Sequence, residues 1–138
     1  MADKMTAVVV DDEKDLTTYL SAILQEHGWS VRVANDAETG ESLIRHSPPD
    51  LILLDLVMPG RTGIQLFARL RGDESTRSIP LIMVTGIKEQ FNIDWRETVT
   101  KLKARVPDGF IEKPVQPERL MKLVNDVMTH RERGLQLG

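Results

Sequence analysis

The stretch DLILLDLVMPG, residues 50–60, decides how this chain folds. Four apolar residues, 51–54, run into Asp55, and the chain then breaks on Pro59 and Gly60. A short aliphatic run without polar alternation reads as a strand buried on both faces, the habit of parallel sheets. A carboxylate at the end of such a strand is expensive to bury unless a partner compensates its charge. Asp55 is therefore either satisfied at that place or used there.

Outward from this strand, compact β-branched and aliphatic runs alternate with segments of helical period, the pattern of βαβ units. TAVVV at 6–10, WSVRVA at 29–34, IPLIMV at 79–84 and GFIE at 109–112 read as the other four strands. A first helix over 15–27 places Leu16, Leu20, Ile23 and Leu24 on one face and ends at Gly28. A second, over about 37–46, buries Leu43 and Ile44 and is stopped by Pro48 and Pro49. The third carries Ile64, Leu66, Phe67 and Leu70. Trp95, Val99 and Leu102 suggest a fourth over about 94–105. Pro117 opens the last, with Leu120, Leu123, Val124, Val127 and Met128 toward the core. The class is α/β, with five strands and five helices. Residues 1–138 read as a single domain with a core over about 5–129, and the tail from 130 is expected to be loose.

Composition bounds the function. The chain has 138 residues, 41% apolar and 28% charged, enough for one core of its own. No apolar run approaches the roughly 20 residues that span a bilayer, and the start MADKMTAVVV lacks the apolar core of a secretory signal. A cytoplasmic setting is the expectation. The absence of cysteine removes disulfide and thiolate chemistry, and the net charge of −3 argues against nucleic acid as a direct partner. The basic cluster HRER at 130–133 reads as a solvated helix end.

The polar residues at the strands share one location. Asp11 and Asp12 follow strand one, Asp55 strand three, Thr85 strand four and Lys113 strand five, always at the carboxyl end. In open parallel sheets the ligand crevice lies outside those ends. With the strand order 2-1-3-4-5 of flavodoxin-like folds, all five side chains converge there. Three carboxylates at contact distance repel one another and call for a cation. Oxygen ligands without His or Cys select Mg²⁺, Mn²⁺ or Ca²⁺ over zinc, and an open site with few carboxylates suits Mg²⁺ working with a phosphate. A carboxylate is a competent nucleophile for phosphoryl transfer, which depends on positioning and on neutralising the equatorial oxygens. Lys113 and the Thr85 hydroxyl fit that task.

The motifs DDE at 11–13, LLDLVMPGRTG at 53–63, MVTG at 83–86 and EKPV at 112–115 together resemble the receiver domain of bacterial two-component response regulators. The resemblance covers about residues 5–129. It implies a doubly wound, flavodoxin-like (βα)5 fold with Asp55 as the phosphorylation site. It further implies Asp12 and Asp55 as direct Mg²⁺ ligands with the Val57 backbone carbonyl, and Asp11 acting through water. By the same resemblance Thr85 is the switch hydroxyl, Lys113 binds the phosphate, and the Lys113–Pro114 bond is cis. Phe110 takes the place of the aromatic that turns inward on activation. The implied phosphodonor is a histidine kinase or a histidine phosphotransfer protein. The implied output is a downstream protein on the face formed by the fourth helix, the fifth strand and the last helix, with the receiver a monomer or weak dimer.

Three features depart from the pattern, the first being Gly86, where similar receivers often carry alanine after the switch residue. The segment between Thr85 and Lys113 is longer than in similar receivers, so its helix is expected to be irregular or displaced. Val57 and Ile87 are apolar where related proteins control attack of water on the acyl phosphate, and are expected to lengthen its lifetime. Singly, each site residue has a plain structural explanation, such as an N-cap for Asp11 or Asp12 and an Asx turn for Asp55. Four such coincidences at four strand ends are improbable. A magnesium-dependent phosphohydrolase would carry a second acid at position 57, where valine stands. A phosphorylation-independent binding module is the other alternative.

Overall fold

The computed structural model describes residues 4–56, 58, 63–86 and 107–137, with side chains to position 130. Five strands, β1 (Thr6–Val10), β2 (Ser30–Ala34), β3 (Leu51–Asp55), β4 (Leu81–Thr85) and β5 (Gly109–Glu112), form one sheet. Every pairing is parallel and the order is β2-β1-β3-β4-β5. Four helices are described, α1 (Lys14–Glu26), α2 (Ala37–His46), α3 (Gly63–Gly72) and α4 (Pro117–Leu137). The helix expected over 94–105, the irregular connection before it, and Val57 and Ile87 lie outside the described residues.

The central strands show no polar alternation because both faces of the sheet are covered. Residues alternate sides along each strand, so the two cores divide by parity. Val8, Val10, Ile52, Leu54, Leu81 and Met83 meet α2 and α3 through Ile44, Phe67 and Leu70. Ala7, Val9, Leu51, Leu53, Ile82 and Val84 meet α1 and α4 through Leu20, Leu24, Leu120 and Val124. Leu16, Leu43, Leu123 and Met128, all expected in the core, are partly buried at its margins. Gly28 has a φ of +89° just past α1, the left-handed conformation that ends a helix without cost only at glycine.

Three of the boundaries that differ from the sequence expectation have a physical reason, hydrogen bonding at two strands and helix propensity at the tail. The strand expected over 79–84 runs 81–85, because Ile79 N–H bonds the Thr76 carbonyl in a turn and Pro80 has no N–H. Asp55 is the last rung of β3, opposite Val84, rather than a residue after it. The tail expected to be loose from 130 continues α4 to Leu137; Arg, Glu, Leu and Gln are good helix formers.

Buried polar contacts fix the lower part of the sheet. The Arg71 guanidinium lies 5.4 Å above the Phe67 ring centroid and donates to the carbonyls of Arg77 and Ile79 at 2.9 and 2.6 Å. It also pairs with Asp108 at 2.8 Å, whose carboxylate accepts from Leu81 N–H. One side chain thus ties the end of α3 to the starts of β4 and β5.

Gly40 of α2 lies directly on β1. A Cβ there would stand 2.8 Å from the Val10 side chain. Alanine gains about 1 kcal/mol of helix propensity, but the crowding of a stiff β-branched neighbour costs about 2 kcal/mol. Gly40→Ala is therefore expected to lower stability by about 1 kcal/mol in urea unfolding.

Candidate functional site

Parallel register brings the carboxyl ends of β1, β3, β4 and β5 to one rim. Val10 pairs with Leu54, Asp55 with Val84 and Thr85 with Glu112, so Asp11, Asp55, Thr85 and Lys113 lie within one or two rungs of each other. Asp11, Asp55 and Thr85 are all buried, while Asp12 is exposed at the mouth. One carboxylate oxygen from each of Asp11, Asp12 and Asp55 lies within 4.8 Å of the others. Lys113, whose side chain is 19% exposed, reaches over this group. Its Nζ is 3.3 Å from Asp11 Oδ2, 3.4 Å from Asp55 Oδ1 and 3.4 Å from Glu13 Oε1. The Lys113–Pro114 bond is cis.

The local chain path explains why Asp11 looks inward. The β1–β2 ladder extends one rung past the strand through Asp11 N–H to the Ala34 carbonyl, at 3.1 Å. The chain then turns into α1, and Glu13 N–H donates to Asp11 Oδ1 at 2.9 Å. That leaves Asp11 Oδ2 buried and facing Lys113, yet accepting no hydrogen bond among the described residues. On the β3 side, the helix that follows approaches the strand closely: a Cβ at Gly63 would fall on the Asp55 carbonyl oxygen. Only glycine fits at that place.

The electrostatics are those of a site short of positive charge. Burial, and then the negative charge of Asp11, push Asp55 from the ordinary carboxylate value of 3.8 up to about 7 against the pull of Lys113. Burial also raises Asp11, partly offset by the Glu13 N–H and by Lys113. For Lys113, burial disfavours the ammonium, but the charges of Asp55, Asp11 and Glu13 together outweigh it and raise its affinity for the proton. One lysine is shared by three acids, and the inward-facing Asp11 Oδ2 has only that shared ion pair at 3.3 Å. A hard divalent cation fits that deficit and that all-oxygen donor set.

Asp11, Asp12, Asp55 and Lys113 thus come together as the sequence suggested. Thr85 sits buried at the end of β4, beside the rung that carries Asp55. Phe110, opposite Met83 on β5, is half-buried against the core on the α2 and α3 side. The Val57 carbonyl falls outside the described residues. Sequence reasoning passed over Glu13 as a partner of Lys113. It also passed over Tyr19, whose hydroxyl donates to the Val115 carbonyl at 2.9 Å and ties α1 to the loop after β5. Contacts spanning 96 and 100 positions leave no local signature.

The response regulator receiver domain family matches residues 7–125. The protein PilH of Pseudomonas aeruginosa is 34% identical over 121 residues, which cover 88% of this chain and 95% of PilH. The phosphate regulon transcriptional regulatory protein PhoB of Escherichia coli is 31% identical over 121 residues, 88% of this chain but only 50% of PhoB. The crystal structure of a response regulator receiver domain protein from Methanospirillum hungatei superposes with a TM-score of 0.80 at 25% identity, over 96% of this chain and 99% of that one. With the acidic crevice and these matches in agreement, the chain belongs to the response regulator receiver domain family, the phosphoacceptor modules of two-component signalling.

Proposed function

We propose that Asp55 accepts the phosphoryl group, from a histidine kinase or a histidine phosphotransfer protein. The observation that carries this reading is the pair of buried carboxylates at the ends of β1 and β3, both paired with the single Lys113 ammonium. Asp12 and Asp55, with Asp11 acting through water, would hold Mg²⁺, which would supply the positive charge that the phosphoryl oxygens need in the transition state. Asp55 attacks phosphorus as the bond to the donor nitrogen breaks and an oxygen–phosphorus bond forms. Lys113, already within 3.4 Å of Asp55 Oδ1, moves its ion pair to a phosphoryl oxygen. The Thr85 hydroxyl takes another. The added charge of roughly −1.5 to −2 then draws Thr85 and Phe110 inward and biases a two-state equilibrium.

We read residues 5–129 as one receiver domain, cytoplasmic and bacterial, whose only chemistry is its own phosphorylation and dephosphorylation. Among the described residues no helix is long and apolar enough to cross a membrane. A downstream protein is expected on the face that includes β5 and α4, where a groove is lined by Phe110, Glu112, Arg119, Lys122, Leu123 and Asp126. Incubation with acetyl phosphate and Mg²⁺ tests the proposal by intact mass. One phosphate per chain, prevented by EDTA, is the expected result. Sustained turnover would indicate a phosphohydrolase, and no adduct a phosphorylation-independent binding module.

A further inference from the structure

The residue after β2, Asn35, hydrogen-bonds neither the acidic trio's carboxylates nor Lys113 among the described residues, yet it grips the chain that carries the first of them. Its Nδ2 donates to the Asp11 carbonyl at 2.9 Å and to Thr17 Oγ1 at 3.2 Å. Chemistry fixes the orientation of this amide. The Asp11 carbonyl only accepts, and the Thr17 hydroxyl spends its proton on the Lys14 carbonyl at 2.9 Å, so an oxygen in place of Nδ2 would face two acceptors. Thr17 is buried, and its own N–H bonds the Glu13 carbonyl at 3.0 Å. The Asp11 peptide is thereby held on both sides from the end of β2, by Ala34 through the backbone and by Asn35 through a side chain.

We infer that Asn35, anchored by Thr17, is a positioning residue for cation binding: it fixes the Asp11 peptide so that Oδ1 caps Glu13 N–H and Oδ2 faces the crevice. The inference rests on the reading that Asp11, Asp12 and Asp55 bind Mg²⁺. Residues that orient a metal's ligands alter affinity without touching the ion, commonly by about 10- to 100-fold. The bond is half-buried and the side chain small, so its loss opens no large cavity.

The test is the Mg²⁺ dissociation constant of the whole chain by isothermal titration calorimetry, for the parent and four variants. Asn35→Ala is expected to weaken binding about tenfold, and Asn35→Gln, which keeps the donor on a longer stem, to recover to within about threefold of the parent. At saturating Mg²⁺, Asn35→Ala should take phosphate from acetyl phosphate within about twofold of the parent rate, since the reacting groups are intact. Arg32→Met removes the bonds from β2 to the Leu43 and Ser47 carbonyls and should leave Mg²⁺ affinity unchanged. Should Asn35→Ala fail to fold, Thr17→Val, nearly isosteric, carries the test with an expected loss of about threefold. Parent-like affinity in the variant that is read, or an equal loss in Arg32→Met, overturns the positioning role and leaves the Mg²⁺ site standing. A parent that binds no Mg²⁺ overturns both.

Discussion

Without metal at pH 7.5, Asp55→Asn is expected to unfold at a higher temperature than the parent, although it deletes the residue on which the proposed function depends. Asp55 is buried beside Asp11, and its carboxyl is pushed from 3.8 up to about 7. Below pH 3.8 the group is protonated in both folded and unfolded chains and contributes nothing. Between 3.8 and about 7 the folded state holds the proton more tightly, so stability falls as pH rises, and above about 7 the full penalty is present. A shift of that size corresponds to about 4 kcal/mol at roughly 1.4 kcal/mol per pH unit. Solvent at the open mouth, where Asp12 is exposed, screens it, and about 1–2 kcal/mol is the expected gain, or about 4–8 °C. Calorimetry in EDTA at pH 5 and 7.5 checks the sign: the advantage of Asp55→Asn should be about a third of its full size at pH 5 and full at 7.5. Millimolar Mg²⁺ should stabilise the parent at pH 7.5 and the variant much less.

Lys113→Met should slow phosphorylation about 100-fold at saturating Mg²⁺ and acetyl phosphate, the usual effect of losing one oriented donor to developing charge. Methionine fills most of the space of the lysine stem, so packing of the loop after β5 survives. The same change should tighten Mg²⁺ binding, because the ammonium now within 3.3–3.4 Å of Asp11 and Asp55 competes with an incoming cation for those oxygens. Opposite effects on affinity and rate separate this account from simple misfolding, which weakens both. A stopped-flow rate paired with an Mg²⁺ titration reads the two. Unchanged phosphorylation would remove Lys113 from the chemistry.

How much of this the sequence showed depended on whether the cause was local. The unalternating run 51–54 marked a strand covered on both faces, and Val8, Ile52 and Leu54 do lie on one side while Val9, Leu51 and Leu53 lie on the other. Gly28 and the prolines after Ser47 marked helix ends for local backbone reasons. The strand 79–84 was misplaced because Ile79 is apolar and buried like a strand residue, whereas its N–H belongs to a turn. The acids and the lysine were legible because four strand ends repeat one pattern. Asn35, Glu13 and Thr17 were not, since an asparagine after a strand reads equally well as a turn, and only the pairing of β1 with β2 brings it to the Asp11 carbonyl. Longer links, such as Arg71 to Asp108 and Tyr19 to Val115, exist only once the sheet has formed.

Borohydride trapping of the phosphorylated chain tests the central claim most directly, because it reduces an acyl phosphate to an alcohol and marks the residue for peptide mass spectrometry. After acetyl phosphate and Mg²⁺, position 55 should be recovered as homoserine, with Asp11, Asp12 and Glu13 unchanged and no conversion when EDTA is present. Conversion at any other acid, or a phosphate adduct that borohydride does not reduce, would contradict the account.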